Sequence, residues 1–168
     1  MKPEIVGEPL AVMAVCGDQQ ASMVAAGVRA GDTKVTYGTG SFIAQSLGDK
    51  FRIVEPFFTT LVPGRRHSVF ALEAKITDCA KRVSAVLKEP TKLKLVLSCL
   101  AGQVDEYLKK LPIKPRRLII DGGVTQSPFL SPIQRRISGV TVSRQKVADG
   151  TALGTAMLVR QALKMKIC

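Results

Sequence analysis

Tryptophan is absent from this 168-residue chain, and aromatic residues make up only 5% of it, two tyrosines and six phenylalanines. Stacking platforms for single-stranded nucleic acid are therefore scarce, and no zinc-finger or helix-turn-helix signature is found. Cysteine is sparse as well. Cys16, Cys79, Cys99 and Cys168 lie far apart and form no C-x-x-C pair, which excludes zinc ribbons and redox dithiols and fits reduced thiols. Long apolar runs are missing: the longest, Leu10 to Cys16, has seven residues, where a membrane span needs about 20. The N-terminal residues show no apolar signal core followed by a small-residue cleavage site. These absences lead us to expect a soluble, cytoplasmic chain that does not enter a membrane.

Acidic residues are the other shortage: 13 Asp and Glu face 25 Lys and Arg, for a net charge of +12. The excess is concentrated in residues 85–168, which hold 15 basic and 5 acidic residues. Such a field draws anions, from a phosphorylated small molecule to nucleic acid. The basic residues are scattered singly or in pairs such as Arg116-Arg117 and Arg135-Arg136, so a solvated basic face is expected and nucleic acid is an unlikely partner. Apolar residues make up 46% of the chain, enough for one core, and no repeat or long linker divides it. One domain over residues 1–168 is expected.

Segments of strand and helix character alternate. Leu10 to Cys16 suits a strand buried on both faces, and the spacing predicts a helix over Ala21 to Ala26 ending at Gly27. Strands are expected near 34–38, 41–46, 68–72 and 117–121, with a short one at Val140 to Ser143. Helical periodicity covers Ile76 to Leu87 and Leu93 to Leu111, the second closed by Pro112 and Pro115. Further helices are expected over about Pro128 to Ile137 and Thr151 to Lys166. This alternation implies a layered α/β fold.

Three segments carry candidate chemistry. In Cys16-Gly17-Asp18-Gln19-Gln20 a carboxylate follows a strand and opens a helix, in the favourable field of the helix N-terminus. Asp18 there can take a proton from a hydroxyl while the Gln19 amide holds a neighbouring one; the same placement equally suits a helix cap. Gly38-Thr39-Gly40 offers backbone N–H groups and a hydroxyl to phosphate oxygens, although many hairpin turns share this pattern. Asp121-Gly122-Gly123 at a strand end lets a ligand approach the backbone closely, and is also an ordinary strand-to-helix turn.

In combination these segments resemble the second domain of the FGGY carbohydrate kinases, especially the glycerol-kinase-like members. The resemblance rests on Cys16-Gly-Asp-Gln-Gln20, Gly31 to Gly40, Ala71-Leu-Glu73, Ile120-Asp-Gly-Gly123 and Thr151-Ala-Leu-Gly-Thr-Ala156, in that order, and covers the whole chain except for an apparent deletion between about Lys88 and Leu93. It implies an actin-like, ribonuclease-H-like fold, a mixed sheet flanked by helices. The implied activity is transfer of the γ-phosphate of ATP, with Mg²⁺, to a polyol or sugar hydroxyl. Asp18 then corresponds to the catalytic base and Gln19 to a substrate ligand. Gly38, Thr39 and Gly40 correspond to the turn around the nucleotide phosphates. Gly122, Gly123 and Ser127 would border the nucleotide, Ser127 or its neighbour Pro128 standing where the family has Asn.

The chain also departs from the family pattern. Nothing in it matches the family's first domain, which brings a D-x-G-T phosphate segment and most metal contacts, so no metal ligand is assigned here. Ala80 and Ser84 stand where a nucleotide-contacting Gly and a Gln are expected. The expected partner is therefore a separately encoded N-terminal domain. The alternative is a non-catalytic, actin-like nucleotide-binding or protein-interaction module.

Overall fold

Alternation of side chains builds the centre of the sheet. Val35 and Tyr37 on one strand and Leu118 and Ile120 on another are fully buried on one face, while Lys34, Thr36 and Asp121 point to the other. The computed structural model describes residues 11–27, 29–64, 67–147 and 149–165. Its elements run α1 (Asp18–Ala26), β1 (Thr33–Tyr37), β2 (Gly40–Gly48), β3 (Phe58–Val62), β4 (Val69–Asp78), α2 (Ala80–Ser84), α3 (Pro90–Lys110), β5 (Arg117–Asp121), a 3-10 turn (Gly123–Gln126), α4 (Leu130–Ser138), β6 (Thr141–Arg144) and α5 (Gly150–Met165).

The six strands form one mixed sheet in the order β3-β4-β2-β1-β5-β6. β1, β2, β4 and β3 pair antiparallel, whereas β5 joins β1 in parallel, with Thr36 opposite Asp121, and β6 continues parallel to β5. Helices cover both faces. Leu97, Leu100 and Val104 of α3 and Leu130 and Ile133 of α4 pack with Val35, Tyr37, Leu118 and Ile120. On the opposite face Met23 and Val24 of α1 and Leu158 of α5 form a smaller cluster with Ala44, Val62 and Ala71. The two helices of that layer approach closely because position 154 is glycine: a Cβ there would lie 1.7 Å from the Ala21 carbonyl oxygen.

The expected strands near 34–38, 41–46 and 117–121 are present, and the helix expected from Leu93 runs from Pro90 to Lys110, ending before Pro112. Two expectations fail. Residues 11–17 form no regular element, Leu10 lies outside the described residues, and Val12 and Val15 are 65% and 85% exposed. Ala14 and Cys16 pack against the cluster around Met23 and Val62, but an apolar strand also needs a hydrogen-bonded neighbour, and among the described residues the sheet supplies none to this run.

The helix expected over Ile76 to Leu87 shrinks to Ala80–Ser84. β2 is nine residues long and its ladder with β4 continues as far as Gly40 opposite Asp78. Pairing along that ladder overrides the local periodicity of Ile76 and Thr77. β3 was not anticipated, although Phe58-Thr-Thr-Leu-Val62 between Pro56 and Pro63 has strand composition.

Candidate functional site

The parallel strands β1 and β5 end side by side, which is where open α/β sheets hold ligands. Gly122, with φ +91°, leaves β5 directly against β1: a Cβ there would sit 2.4 Å from the Tyr37 carbonyl oxygen and 2.9 Å from the Gly38 nitrogen. The Gly38–Gly40 and Gly122–Gly123 turns are therefore in backbone contact, and only glycine fits at the junction. The Gly38–Thr39 carbonyls face α2, accepting from the Cys79 and Ala80 amides at 2.9 and 3.1 Å. The Gly38 N–H closes the turn on the Gly40 carbonyl at 3.1 Å, so it is not one of the exposed donors expected of this turn. Thr39 is exposed, and its hydroxyl has no hydrogen bond among the described residues.

Gly17, not Asp18, occupies the N-cap of α1. The Gly17 N–H donates to Gln20 Oε1 at 2.8 Å, and Gln20 Nε2 donates to Thr60 Oγ1 at 2.8 Å. Gln20 thus does the capping, and the exposed Asp18 carboxylate makes no hydrogen bond among the described residues. Asp18 is held through its carbonyl, which accepts from Thr151 Oγ1 of α5 at 3.3 Å. Next to it, Gln19 lines a cleft of about 340 Å³ with Ser22, Thr36, Asp121, Gly122, Asp149, Gly150 and Thr151.

Beneath this cleft lies a buried ion pair that the sequence reading missed. Lys34 Nζ is 2.8 Å from Asp121 Oδ1, the two side chains being 2% and 6% exposed. Lys34 also donates to Thr36 Oγ1, Thr36 Oγ1 donates to Gln19 Oε1 at 3.4 Å, and Ser22 Oγ donates to Asp121 Oδ2 at 3.0 Å. Burial pushes the Lys34 ammonium below the usual lysine range, against the opposing pull of Asp121. The sequence carries no local signal for this pair, because Lys34 and Asp121 are brought together only by the pairing of β1 with β5. On the opposite face burial pushes the Tyr37 phenol well above its ordinary range, and Tyr37 donates to Gln134 Oε1.

The structure thus brings Gln19, Gly38 and Gly122 close to one another, with Thr39 and Gly40 on the adjoining turn and Asp18 at the start of α1. Gly123 has open space at its Cα, with no atom within 4 Å of a Cβ built there. Ser127 lies apart from that cleft, and its hydroxyl accepts from the Phe129 amide at 3.4 Å. A second cleft of about 390 Å³ opens on the other side of Asp121, lined by Gly122, Gly123, Gln126, Arg144 and Lys146 among others.

No family model matches the chain. It is 28% identical to a glycerol kinase of Thermococcus gammatolerans over 220 residues, covering 96% of this chain and 45% of that protein. A glycerol kinase of Trichodesmium erythraeum is 26% identical, over 92% of this chain and 44% of that protein. The solved glycerol kinase of Plasmodium falciparum with ADP superposes with a TM-score of 0.77 at 20% identity, over 89% of this chain and 42% of that one. A xylulose kinase of Rhodospirillum rubrum gives 0.70 at 17% identity, over 95% and 44%. The chain is related to the C-terminal domain of the FGGY carbohydrate kinases.

Its sheet and flanking helices form the actin-like, ribonuclease-H-like fold of that family. The chain spans less than half the length of the curated relatives it matches. The matched span of 220 residues is also longer than this chain, so the relatives carry residues within it that are missing here. In this chain α2 and α3 are joined by residues 85–89 alone.

Proposed function

We propose that this chain is the C-terminal lobe of a carbohydrate or polyol kinase of the glycerol-kinase kind, working against an N-terminal lobe of the same family. The observation that carries this reading is the Asp18 carboxylate: it stands at the helix start beside Gln19, relieved of capping by Gln20. A general base must be free to meet the proton it takes. In this reading Asp18 accepts the proton of the acceptor hydroxyl as that oxygen attacks phosphorus, and Gln19 binds a neighbouring oxygen.

ATP, when bound, supplies the phosphoryl group. The residues fit a nucleotide at the joined turns, where Gly123 leaves open space at its Cα beside Gly122 and Thr39 offers a free hydroxyl. Gly38, Gly40 and, further out, Ser127 would border it. No group of three or more His, Cys, Asp and Glu able to hold a metal occurs among the described residues, so Mg²⁺ would arrive with ATP and no step is assigned to it. The exposed Val12 and Val15 fit a strand that completes a sheet in the other lobe, and phosphoryl transfer needs both walls of a closed cleft.

The test mixes the chain with the N-terminal half of the Thermococcus glycerol kinase, Mg²⁺, ATP and either glycerol or xylulose, and follows ADP release. Turnover that needs both proteins is expected. The chain alone is expected to bind ATP with a dissociation constant well above the micromolar range. Tight binding by the isolated chain, or no turnover with the matched N-terminal lobes of several relatives, would replace this reading with the non-catalytic module.

A further inference from the structure

We propose that Lys34 is a positioning residue: it fixes which end of the Gln19 amide faces the cleft, and so selects an acceptor with an oxygen, not an ammonium, beside the reacting hydroxyl. The proposal rests on Gln19 being a substrate ligand. Its ground is the directed chain of hydrogen bonds from Lys34 through Thr36 to Gln19. Lysine has three donors and no acceptor. Because Lys34 donates to Thr36 Oγ1, one lone pair of that hydroxyl is committed and its single proton has to find an acceptor elsewhere. Gln19 Oε1, 3.4 Å away, takes it.

Turned the other way, the Gln19 amide would aim its N–H groups toward a buried ammonium and take that acceptor from Thr36. The ammonium is 2% exposed and paired with Asp121, so it acts on the amide through the Thr36 hydroxyl to which it donates. Oxygen inward leaves Nε2 outward, with no partner among the described residues, as a two-hydrogen donor into the cleft. Such a donor matches the lone pairs of a hydroxyl or carbonyl oxygen and opposes a protonated amine. Asp121 holds the other side of Lys34 and is itself tied to Ser22 of α1 at 3.0 Å, so the helix that carries Gln19 is anchored to the same pair.

The test uses the ¹⁵N-labelled chain and the NMR signals of the Gln19 side-chain amide, which need no enzyme activity. Thr36→Val removes the hydroxyl link and leaves the Lys34–Asp121 pair intact, and Lys34→Met removes the source of the polarity. Both variants are expected to shift the Gln19 proton pair toward the position of a free glutamine while the backbone spectrum stays native. Lys34→Arg, still a donor-only cation, is expected to keep the wild-type signals. If Lys34→Met does not fold, Thr36→Val and Lys34→Arg decide. Unchanged Gln19 signals in Thr36→Val would overturn the proposal and leave Lys34 a structural ion-pair member only; so would Lys34→Arg shifting them as far as Thr36→Val does.

In the two-lobe assembly, Thr36→Val is expected to raise KM for the acceptor, leave KM for ATP unchanged, and narrow the preference for glycerol over its 2-amino analogue. An unaltered preference would count against the selectivity. An assembly without turnover, in which the Gln19 signals still respond to Thr36→Val, would reject the kinase reading and retain the positioning.

Discussion

On one face of the sheet Val35, Tyr37, Leu118 and Ile120 meet Leu97, Leu100, Val104 and Leu130 in a continuous apolar layer. On the other, the centre of the same two strands presents Lys34, Thr36 and Asp121, and only toward β2, β3 and β4 does an apolar cluster resume. The difference shows where the chain places stability and where it places chemistry. The apolar layer gains from area removed from water. The polar layer gains little net energy, because a buried ion pair recovers mainly the cost of its own desolvation. What it provides is a set of fixed donors and acceptors beneath the candidate site.

Breaking the polar layer by halves should have the largest effect. Lys34→Met leaves Asp121 buried and unpaired, and is expected to cost about 3–5 kcal/mol in denaturant unfolding. Adding Asp121→Leu to the same chain should recover most of that loss; a double variant no better than the single one would mean that the pair itself stabilises the fold. Leu100→Ala, in the apolar layer, is expected to cost about 2–5 kcal/mol, with no partner substitution to repair it.

Next comes the packing of α1 on α5. Gly154→Ala places a methyl where the Ala21 carbonyl lies, so the helices must part, at a cost of about 1–3 kcal/mol and with movement of the Asp18 and Gln19 signals.

The apolar layer also has a pH signature. Tyr37 keeps its proton in the fold beyond the pH at which an unfolded tyrosine loses it, near 10. Its contribution is thus complete below about pH 10 and declines as pH rises further, which alkaline unfolding curves of wild type and Tyr37→Phe will separate. The smallest effect belongs to the exposed run: Val15→Ser should change the stability of the isolated chain by no more than about 0.5 kcal/mol, yet weaken assembly with an N-terminal lobe.

The central strands were legible because Val35 and Tyr37 alternate with polar neighbours and Leu118-Ile-Ile120 is a short apolar run closed by Asp121, and α3 because its apolar stripe ends cleanly at Pro112. Their signals are local, and the fold agrees with them. The run 10–16 misled for the opposite reason: its pattern describes a strand, but a strand needs a partner and there is none for it among the described residues. The extension of β4 to Asp78 was hidden in the length of β2, a pairing between residues distant in sequence. At the site, Asp18, Gln19 and the glycine turns stood out as motifs. Lys34, Thr36 and Ser22 did not, since a lysine, a threonine and a serine acquire their roles only when β1, β5 and α1 meet.

The most direct test of the account is the rate of phosphoryl transfer by the two-lobe assembly with Asp18 replaced. Asp18→Asn keeps the size of the side chain and removes its basicity. With Mg²⁺, ATP and glycerol, the variant is expected to lose roughly 10²–10⁴-fold in kcat, the scale of general-base catalysis, while its KM for ATP stays near that of the wild type. A variant that turns over as fast as the wild-type assembly would contradict the account by removing Asp18 from the reaction.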